Sequence, residues 1–251
     1  MMSSTEKIIT IEKMEGDNKK RFPKGFKMVT IFFAEFLGTA TLLFIGCMAG
    51  CTSRFVTDIP VLPHIGAAGF GLSVLLAIQL TSHISGAHLN PQVSLAALIM
   101  GEISFIMFPI YLVAEFLGAL AGFGLLTVLW PSGSHPECST MIHSDVTLVQ
   151  ALGLETAITS LLILSCCAVW DVRNKTNSDS VAIRLGLVIS IICLGAAPIT
   201  GASMNSARSF APALFRNNWK DHWVYWCGPT VGSVIGSVFY KYILSYQSKE
   251  D

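Results

Sequence analysis

The fold is decided by Ser85-Gly86-Ala87-His88-Leu89-Asn90-Pro91 and Thr200-Gly201-Ala202-Ser203-Met204-Asn205-Ser206. In both stretches Gly and Ala follow a hydroxyl residue, and an asparagine occupies the sixth position. The second stretch begins 115 residues after the first, and Glu155 similarly follows Glu35 by 120 residues. The chain therefore contains an internal repeat.

Each stretch leads into an apolar segment that is too short to cross a bilayer. These segments are residues 93–100 and 207–215, whereas a transmembrane helix needs about 20 apolar residues. Asparagine is a good helix N-cap, and Pro91 suits a first helical position. We therefore predict two half-helices whose N-termini meet near the membrane centre, each with about half a positive charge.

The composition is that of a membrane protein. Hydrophobic residues make up 52% of the 251 residues and charged residues 13%, about half the charged share of a soluble domain. Sixteen basic residues balance sixteen acidic ones, which argues against a nucleic-acid partner. Six segments qualify as spans: 28–51, 64–81, 105–130, 149–170, 183–197 and 223–242, the fifth being short.

Three spans per repeat is an odd number, so the second repeat must be inverted in the membrane. Inverted repeats with interrupted helices are typical of channels and transporters. The predicted domains are a cytoplasmic tail (1–27), a first repeat (28–130) with a half-helix near 90–100, an extracellular connecting loop (131–148), a second repeat (149–242) with a half-helix near 205–215, and a cytoplasmic tail (243–251).

The basic residues predict the orientation. With both termini on the inside, twelve Lys and Arg residues lie inside and four lie outside, which is the distribution that the positive-inside rule favours. We therefore expect a multi-pass protein of the cell membrane with both termini in the cytoplasm.

Two carboxylates and seven cysteines fall in or near the spans. Glu35 and Glu155 are predicted to brace the asparagine-containing loops by accepting backbone N–H groups; a proton relay is the alternative. The cysteines have no metal-type spacing, so no metal and no cofactor is expected, and most are interpreted as buried small hydrophobes. Cys51 and Cys138 both fall near the outer face, where the pattern permits a disulfide.

Residues 28–242 resemble the aquaporins, the major intrinsic protein family. The resemblance is carried by residues 34–39, 83–91, 205–213 and 222–229. It implies an all-α membrane protein with six transmembrane helices and two re-entrant half-helices in an inverted three-helix repeat. It also implies a pore in each subunit of a homotetramer. Loop carbonyls would line the pore, at Gly86, Ala87, His88, Gly201 and Ser203.

The chain departs from the family at the half-helix starts, where the family usually has Asn-Pro-Ala. Here the triplets are Asn90-Pro91-Gln92 and Asn205-Ser206-Ala207. Both asparagines remain, and their amides would donate to a passing solute. Gln92 must either turn away or narrow the centre, so the central constriction is assigned to the two asparagines together with Gln92.

Matching by motif assigns the family's selectivity filter to Phe70, Cys193, Ala202 and Arg208. Strict water channels of the family carry histidine where this chain has Cys193. A thiol in place of an imidazole widens the opening. In this combination of filter residues the chain resembles the insect glycerol-conducting aquaporins (entomoglyceroporins). Ser209 follows Arg208, whereas the bacterial-type glycerol facilitators have aspartate there.

The expected function is a passive channel for glycerol and other small uncharged solutes, such as urea, together with water. Protons and ions would be excluded. The alternative is a water-selective pore, if Gln92 or a neighbour fills the space left by the histidine. An alternating-access carrier would need paired intramembrane charges, and a junction protein would need longer outer loops. No nucleophile–base pair indicates an enzyme.

Overall fold

The structure, a computed structural model, describes residues 24–51, 64–174 and 176–245. The tail 1–27 thus lies almost wholly outside the described residues, as does most of 243–251. The described residues form eight α-helices and no strand, which confirms the all-α fold class. The helices are α1 Lys24–Gly50, α2 His64–Ser85, α3 Pro91–Met100, α4 Met107–Leu129, α5 Leu148–Trp170, α6 Val181–Thr200, α7 Ser206–Arg216 and α8 Val224–Phe239.

Six of these helices account for the predicted spans. Five are long and apolar enough to cross a membrane, and α8 continues from Phe239 into a π-helical turn, Tyr240–Leu244. The fifth span is longer than the predicted 183–197, because α6 runs through Pro198 to Thr200. A left-handed Gly201 then ends the helix.

The two short helices, α3 and α7, are capped as the sequence predicted. The Asn90 side chain accepts from Gln92 N at 2.9 Å, and the Asn205 side chain accepts from Arg208 N at 3.0 Å. The two asparagines have extended backbones, with φ values of −162° and −153°. Each half-helix therefore starts directly after its asparagine and ends after about three turns.

The long helices pack in the same way in both repeats. In the first repeat α1 packs against α2 and α4, and in the second α5 packs against α6 and α8. Gly122 of α4 lies against the carbonyl of Ala40, and Gly232 of α8 lies against the carbonyl of Thr156. A Cβ at either glycine would collide with backbone, so these positions let the helices approach closely.

Apolar side chains face outward while polar ones are buried. Phe33 is 60% exposed and Ile191 is 69% exposed, whereas Glu35, Glu115 and Glu155 are completely buried. Large exposed apolar side chains together with buried carboxylates suit a lipid environment.

The ends of α5 and α8 are joined by a polar cluster beyond the helices. The Arg173 guanidinium donates to both carboxylate oxygens of Asp171, at 2.8 and 2.6 Å. The Tyr240 hydroxyl donates to the same carboxylate at 3.0 Å. Hydrogen bonds from Arg173 hold the pKa of Asp171 below its usual range, so this link stays ionised at neutral pH.

Candidate functional site

The loops that precede the half-helices have the same strained backbone. In each, glycine and two other residues have positive φ: Gly86, Ala87 and Leu89 in the first loop, and Gly201, Ala202 and Met204 in the second. A non-glycine residue in this region costs about 1–2 kcal/mol, so the loops persist only where their surroundings hold them.

Two buried carboxylates hold these loops. Glu35 accepts from His88 N at 3.0 Å and from Leu89 N at 2.7 Å. Glu155 accepts from Ser203 N and Met204 N, both at 3.0 Å. Backbone donors thus occupy both oxygens of each carboxylate, which are the contacts that a bracing role requires.

Two tyrosines that the sequence analysis did not single out complete the loop attachments. Tyr111 donates its hydroxyl to the Ser85 carbonyl at 2.5 Å, and Tyr225 donates to the Thr200 carbonyl at 2.8 Å. The two tyrosines are 114 residues apart. Extending the repeat alignment to α4 and α8 would have found them.

The two asparagines cross between the loops at the centre. Asn90 Nδ2 donates to the Met204 carbonyl and Asn205 Nδ2 donates to the Leu89 carbonyl, each at 2.9 Å. An amide NH₂ has two hydrogens, so each asparagine keeps a second donor. Both asparagines line a cavity, where a molecule that enters can accept a hydrogen bond from this second donor.

This central cavity has one polar and one aliphatic wall. Its polar side includes both asparagines and the loop residues Gly86, Ala87, His88 and Ser203. Its aliphatic side comes from four of the long helices, with Leu42, Val74, Ile78, Leu162, Leu185 and Ile189. The cavity therefore contacts one edge of a guest with hydrogen-bonding groups and the other edge with hydrocarbon.

A second cavity, the mouth cavity, adjoins the first at Phe70. Its walls include Phe70, Cys193, Ala202 and Arg208, together with the loop residue Gly201. The structure thus brings together the four residues that the sequence assigned to the filter. The mouth cavity has a volume of about 280 Å³, against about 80 Å³ for the central cavity, so the mouth offers more space to water-sized molecules.

Arg208 is held in the wall of the mouth cavity. Its Nη1 donates to the Cys138 carbonyl at 2.6 Å, and its guanidinium carbon lies 4.9 Å from the centre of the Phe70 ring. A cation over an aromatic face is attracted by the ring. The residue is 8% exposed, so a full positive charge is fixed beside Cys193.

The disulfide differs from the pairing that the sequence permitted. Cys138 is bonded to Cys47 and not to Cys51. The Cys51 thiol instead donates to the Glu137 carbonyl at 3.1 Å. Cys47 lies one helical turn before Cys51 on α1, and spacing alone does not distinguish the two. The bond ties the connecting loop to α1, and so fixes the carbonyl that accepts from Arg208.

The Gln92 side chain does not point where its assignment to the central constriction would require. Its amide turns to Ser206 and Thr230, and it lines neither of the two cavities. The sequence left both outcomes open, because the direction of a side chain in the first turn depends on what the opposite half-helix offers. Of the three residues assigned to the constriction, Asn90 and Asn205 line the central cavity and Gln92 does not.

Glu115, which had no role in the sequence analysis, lies at the end of a buried chain of hydrogen bonds. The Ser94 hydroxyl donates to Glu115 Oε1 at 2.6 Å and lies 2.9 Å from His88 Nδ1. With Ser94 donating to the carboxylate, Nδ1 of His88 donates to Ser94. That tautomer leaves Nε2 of His88 as an acceptor at the central cavity.

Asn90→Ala and Asn205→Ala are each expected to reduce conduction. Each change removes a donor to the cavity and a cap that stabilises its half-helix by about 1 kcal/mol, a loss that should leave assembly intact. Osmotic water permeability of proteoliposomes, normalised to the incorporated protein, measures the effect. Normal conduction by either variant would mean that its asparagine does not border the conducting path.

Comparison with known proteins places these features in a family context. Residues 24–240 match the family described as major intrinsic protein. The chain is 37% identical to rat Aquaporin-2 over 217 residues, which cover 86% of this chain and 79% of that protein. It is 35% identical to the lens fiber major intrinsic protein of Lithobates pipiens over 222 residues, with 88% and 83% coverage. Among solved structures, it is similar to the aquaglyceroporin from Plasmodium falciparum, with a TM-score of 0.75, 26% identity, and coverage of 86% and 96%.

Proposed function

Since this chain belongs to the major intrinsic protein family, we propose that it is a passive channel for glycerol and urea as well as water. At the level of the family it is a multi-pass membrane channel for water and small solutes, and not an enzyme. Its solute range is our proposal. The carrying observation is that the small Cys193 side chain lines the mouth cavity together with Arg208.

Cys193 supports glycerol conduction through size. It lies with Phe70 and Arg208 in the wall of the mouth cavity, so the size of its side chain affects the room that is left for a solute. A histidine at this position would add a ring that reaches across the cavity. A thiol is shorter and a weak hydrogen-bonding group, so the opening is wider and less polar than an imidazole would leave it.

The two-sided lining supports a polyol as solute. A molecule that enters the mouth loses hydration and must regain hydrogen bonds. Arg208 and the loop residues Gly201 and Ala202 line the mouth cavity and can offer hydrogen bonds, while the Phe70 ring offers a hydrocarbon surface. Glycerol has hydroxyls along one edge and carbons along the other, and it therefore suits both walls.

The position of Gln92 bears on the alternative, a water-selective pore. That alternative requires Gln92 or a neighbour to occupy the space that a histidine would fill, and the Gln92 amide is held by Ser206 and Thr230 away from both cavities. The alternative has support from the names of the sequence relatives, which are aquaporins rather than glycerol channels.

Exclusion of protons and ions follows from fixed positive potential along the path. The half-helices present their N-termini to the central cavity, where partial positive charges oppose a cation. Arg208 adds a full charge at the mouth. For the assembly, we propose a homotetramer in the cell membrane with both termini cytoplasmic, in line with the basic residues of the tails.

Stopped-flow light scattering of proteoliposomes tests the proposal. In gradients of glycerol and urea, vesicles that contain the protein should first shrink and then swell again rapidly. In a sorbitol gradient they should shrink and stay shrunken. Fast water flux without re-swelling in glycerol would establish the water-selective alternative instead.

A further inference from the structure

The two half-helices differ in what their first residues offer. α3 begins with Pro91, which has no N–H, whereas α7 begins with Ser206, which has one. The N–H groups of a first helical turn have no partner within their own helix. The Asn205 side chain accepts from Arg208 N, so the N–H of Ser206 needs another acceptor. Ser206 is only 1% exposed.

Gln92 of the opposite half-helix supplies that acceptor. Its Oε1 accepts from Ser206 N at 2.9 Å, and its Nε2 donates to Ser206 Oγ at 3.2 Å. The same Nε2 lies 3.4 Å from Thr230 Oγ1 on α8. Ser233, also on α8, donates its hydroxyl to the Gln92 carbonyl at 2.6 Å. The Gln92–Ser206 pair thus joins α3 to α7 and both to α8.

This pair lies directly beside the two asparagines in sequence. Gln92 follows Asn90 by two residues and Ser206 follows Asn205 by one. Of these four residues, the two asparagines line the central cavity and the other two do not. We propose that Gln92 and Ser206 are positioning residues, and that their paired hydrogen bonds set the separation of the Asn90 and Asn205 amides across the conducting path.

The two residues depend on each other. Gln92→Met keeps the side-chain volume but leaves the Ser206 N–H buried without an acceptor. Ser206→Pro removes that N–H and the hydroxyl, which leaves Gln92 Oε1 without its donor and Gln92 Nε2 with only the 3.4 Å contact to Thr230 Oγ1. Leaving one buried partner unpaired is costly, whereas replacing both by apolar groups is nearly neutral. Proline also suits the first helical position, as Pro91 does in α3.

A double-mutant cycle tests the proposal with four proteins: the wild type, Gln92→Met, Ser206→Pro and the double variant. The readout is osmotic water permeability per incorporated channel, which does not depend on whether glycerol is conducted. Each single variant should lower it by about fivefold, which corresponds to about 1 kcal/mol in the barrier. The double variant should return to within about twofold of the wild type.

Thr230→Val is the matched control, because it leaves the Gln92–Ser206 hydrogen bonds in place and should conduct nearly as the wild type does. Normal permeability per channel in both single variants would overturn the positioning role, and so would a double variant that conducts no better than the worse single one. If Gln92→Met fails to assemble, the double variant should still assemble. Its failure would also overturn the proposal.

Discussion

Replacing Cys193 with histidine should reduce glycerol and urea permeability by about tenfold or more, which an added barrier of about 1.4 kcal/mol suffices to produce. The imidazole would extend from α6 into the mouth cavity, whose walls include Phe70 and Arg208. A glycerol molecule could then no longer place its carbons against Phe70 and its hydroxyls toward Arg208. Water is smaller and needs only one of these contacts, so its permeability should remain largely intact.

Cys193→Ser is the matched control for this change. Serine keeps the small side chain, so glycerol flux should stay close to that of the wild type. A histidine variant that still conducts glycerol would contradict the steric account of the mouth. Stopped-flow traces of all three proteins, normalised to incorporated protein, give the comparison.

Mercurial labelling examines the position of the same thiol without changing the fold. Mercury bound to Cys193 should block glycerol and water alike, and Cys193→Ser should be resistant. Cys227 is exposed on α8 and the free Cys166 lines the central cavity, so the experiment is made in a Cys166→Ser, Cys227→Ser background. If a mercurial that demonstrably reaches the mouth left conduction unchanged in the protein that retains Cys193, this residue would not line the path.

The overall fold could be predicted from the sequence because its signals are local and repeated. Apolar runs set the long helices, and the Asn90 and Asn205 motifs set the half-helices at nearly the right residues. Two predicted spans were too short at their C-terminal ends: α2 extends from the predicted 81 to Ser85, and α6 extends from the predicted 197 through Pro198 to Thr200. A proline close to the C-terminal end of a helix shortens it less than one in the middle, since few residues follow.

The details of the site were less predictable where they depend on contacts between distant elements. Cys47 and Cys51 are one turn apart on α1, and only the path of the connecting loop decides which of them meets Cys138. The direction of the Gln92 side chain depends on the backbone N–H of Ser206, which lies more than 100 residues away in the sequence. By contrast, the partners of Glu35 and Glu155 could be inferred, because the repeat presents the same acceptor to the same loop twice.

Replacing Arg208 with valine should admit solutes larger than glycerol and weaken the rejection of cations. The change removes the only guanidinium among the described residues of the mouth cavity, and it leaves the Cys138 carbonyl without its donor. Both effects enlarge and depolarise the opening. Sorbitol, which the wild type should exclude, should then re-swell vesicles, and a sodium gradient should dissipate faster.

Two further variants show how much of the selectivity depends on the charge of Arg208, on the shape of its side chain and on its location. Arg208→Lys keeps the positive charge but loses the planar fork that meets the Cys138 carbonyl and the Phe70 ring, so cation rejection should persist while solute size selection relaxes. Arg216→Val removes a partly exposed arginine that does not itself line the mouth cavity, although its partner Glu137, at 3.3 Å, does, and both properties should be largely retained. If Arg216→Val altered cation rejection as much as Arg208→Val does, the surface charge of the protein would be responsible. If Arg208→Val left both properties unchanged, Arg208 would not border the path, because a fixed charge on that path must affect every ion that enters.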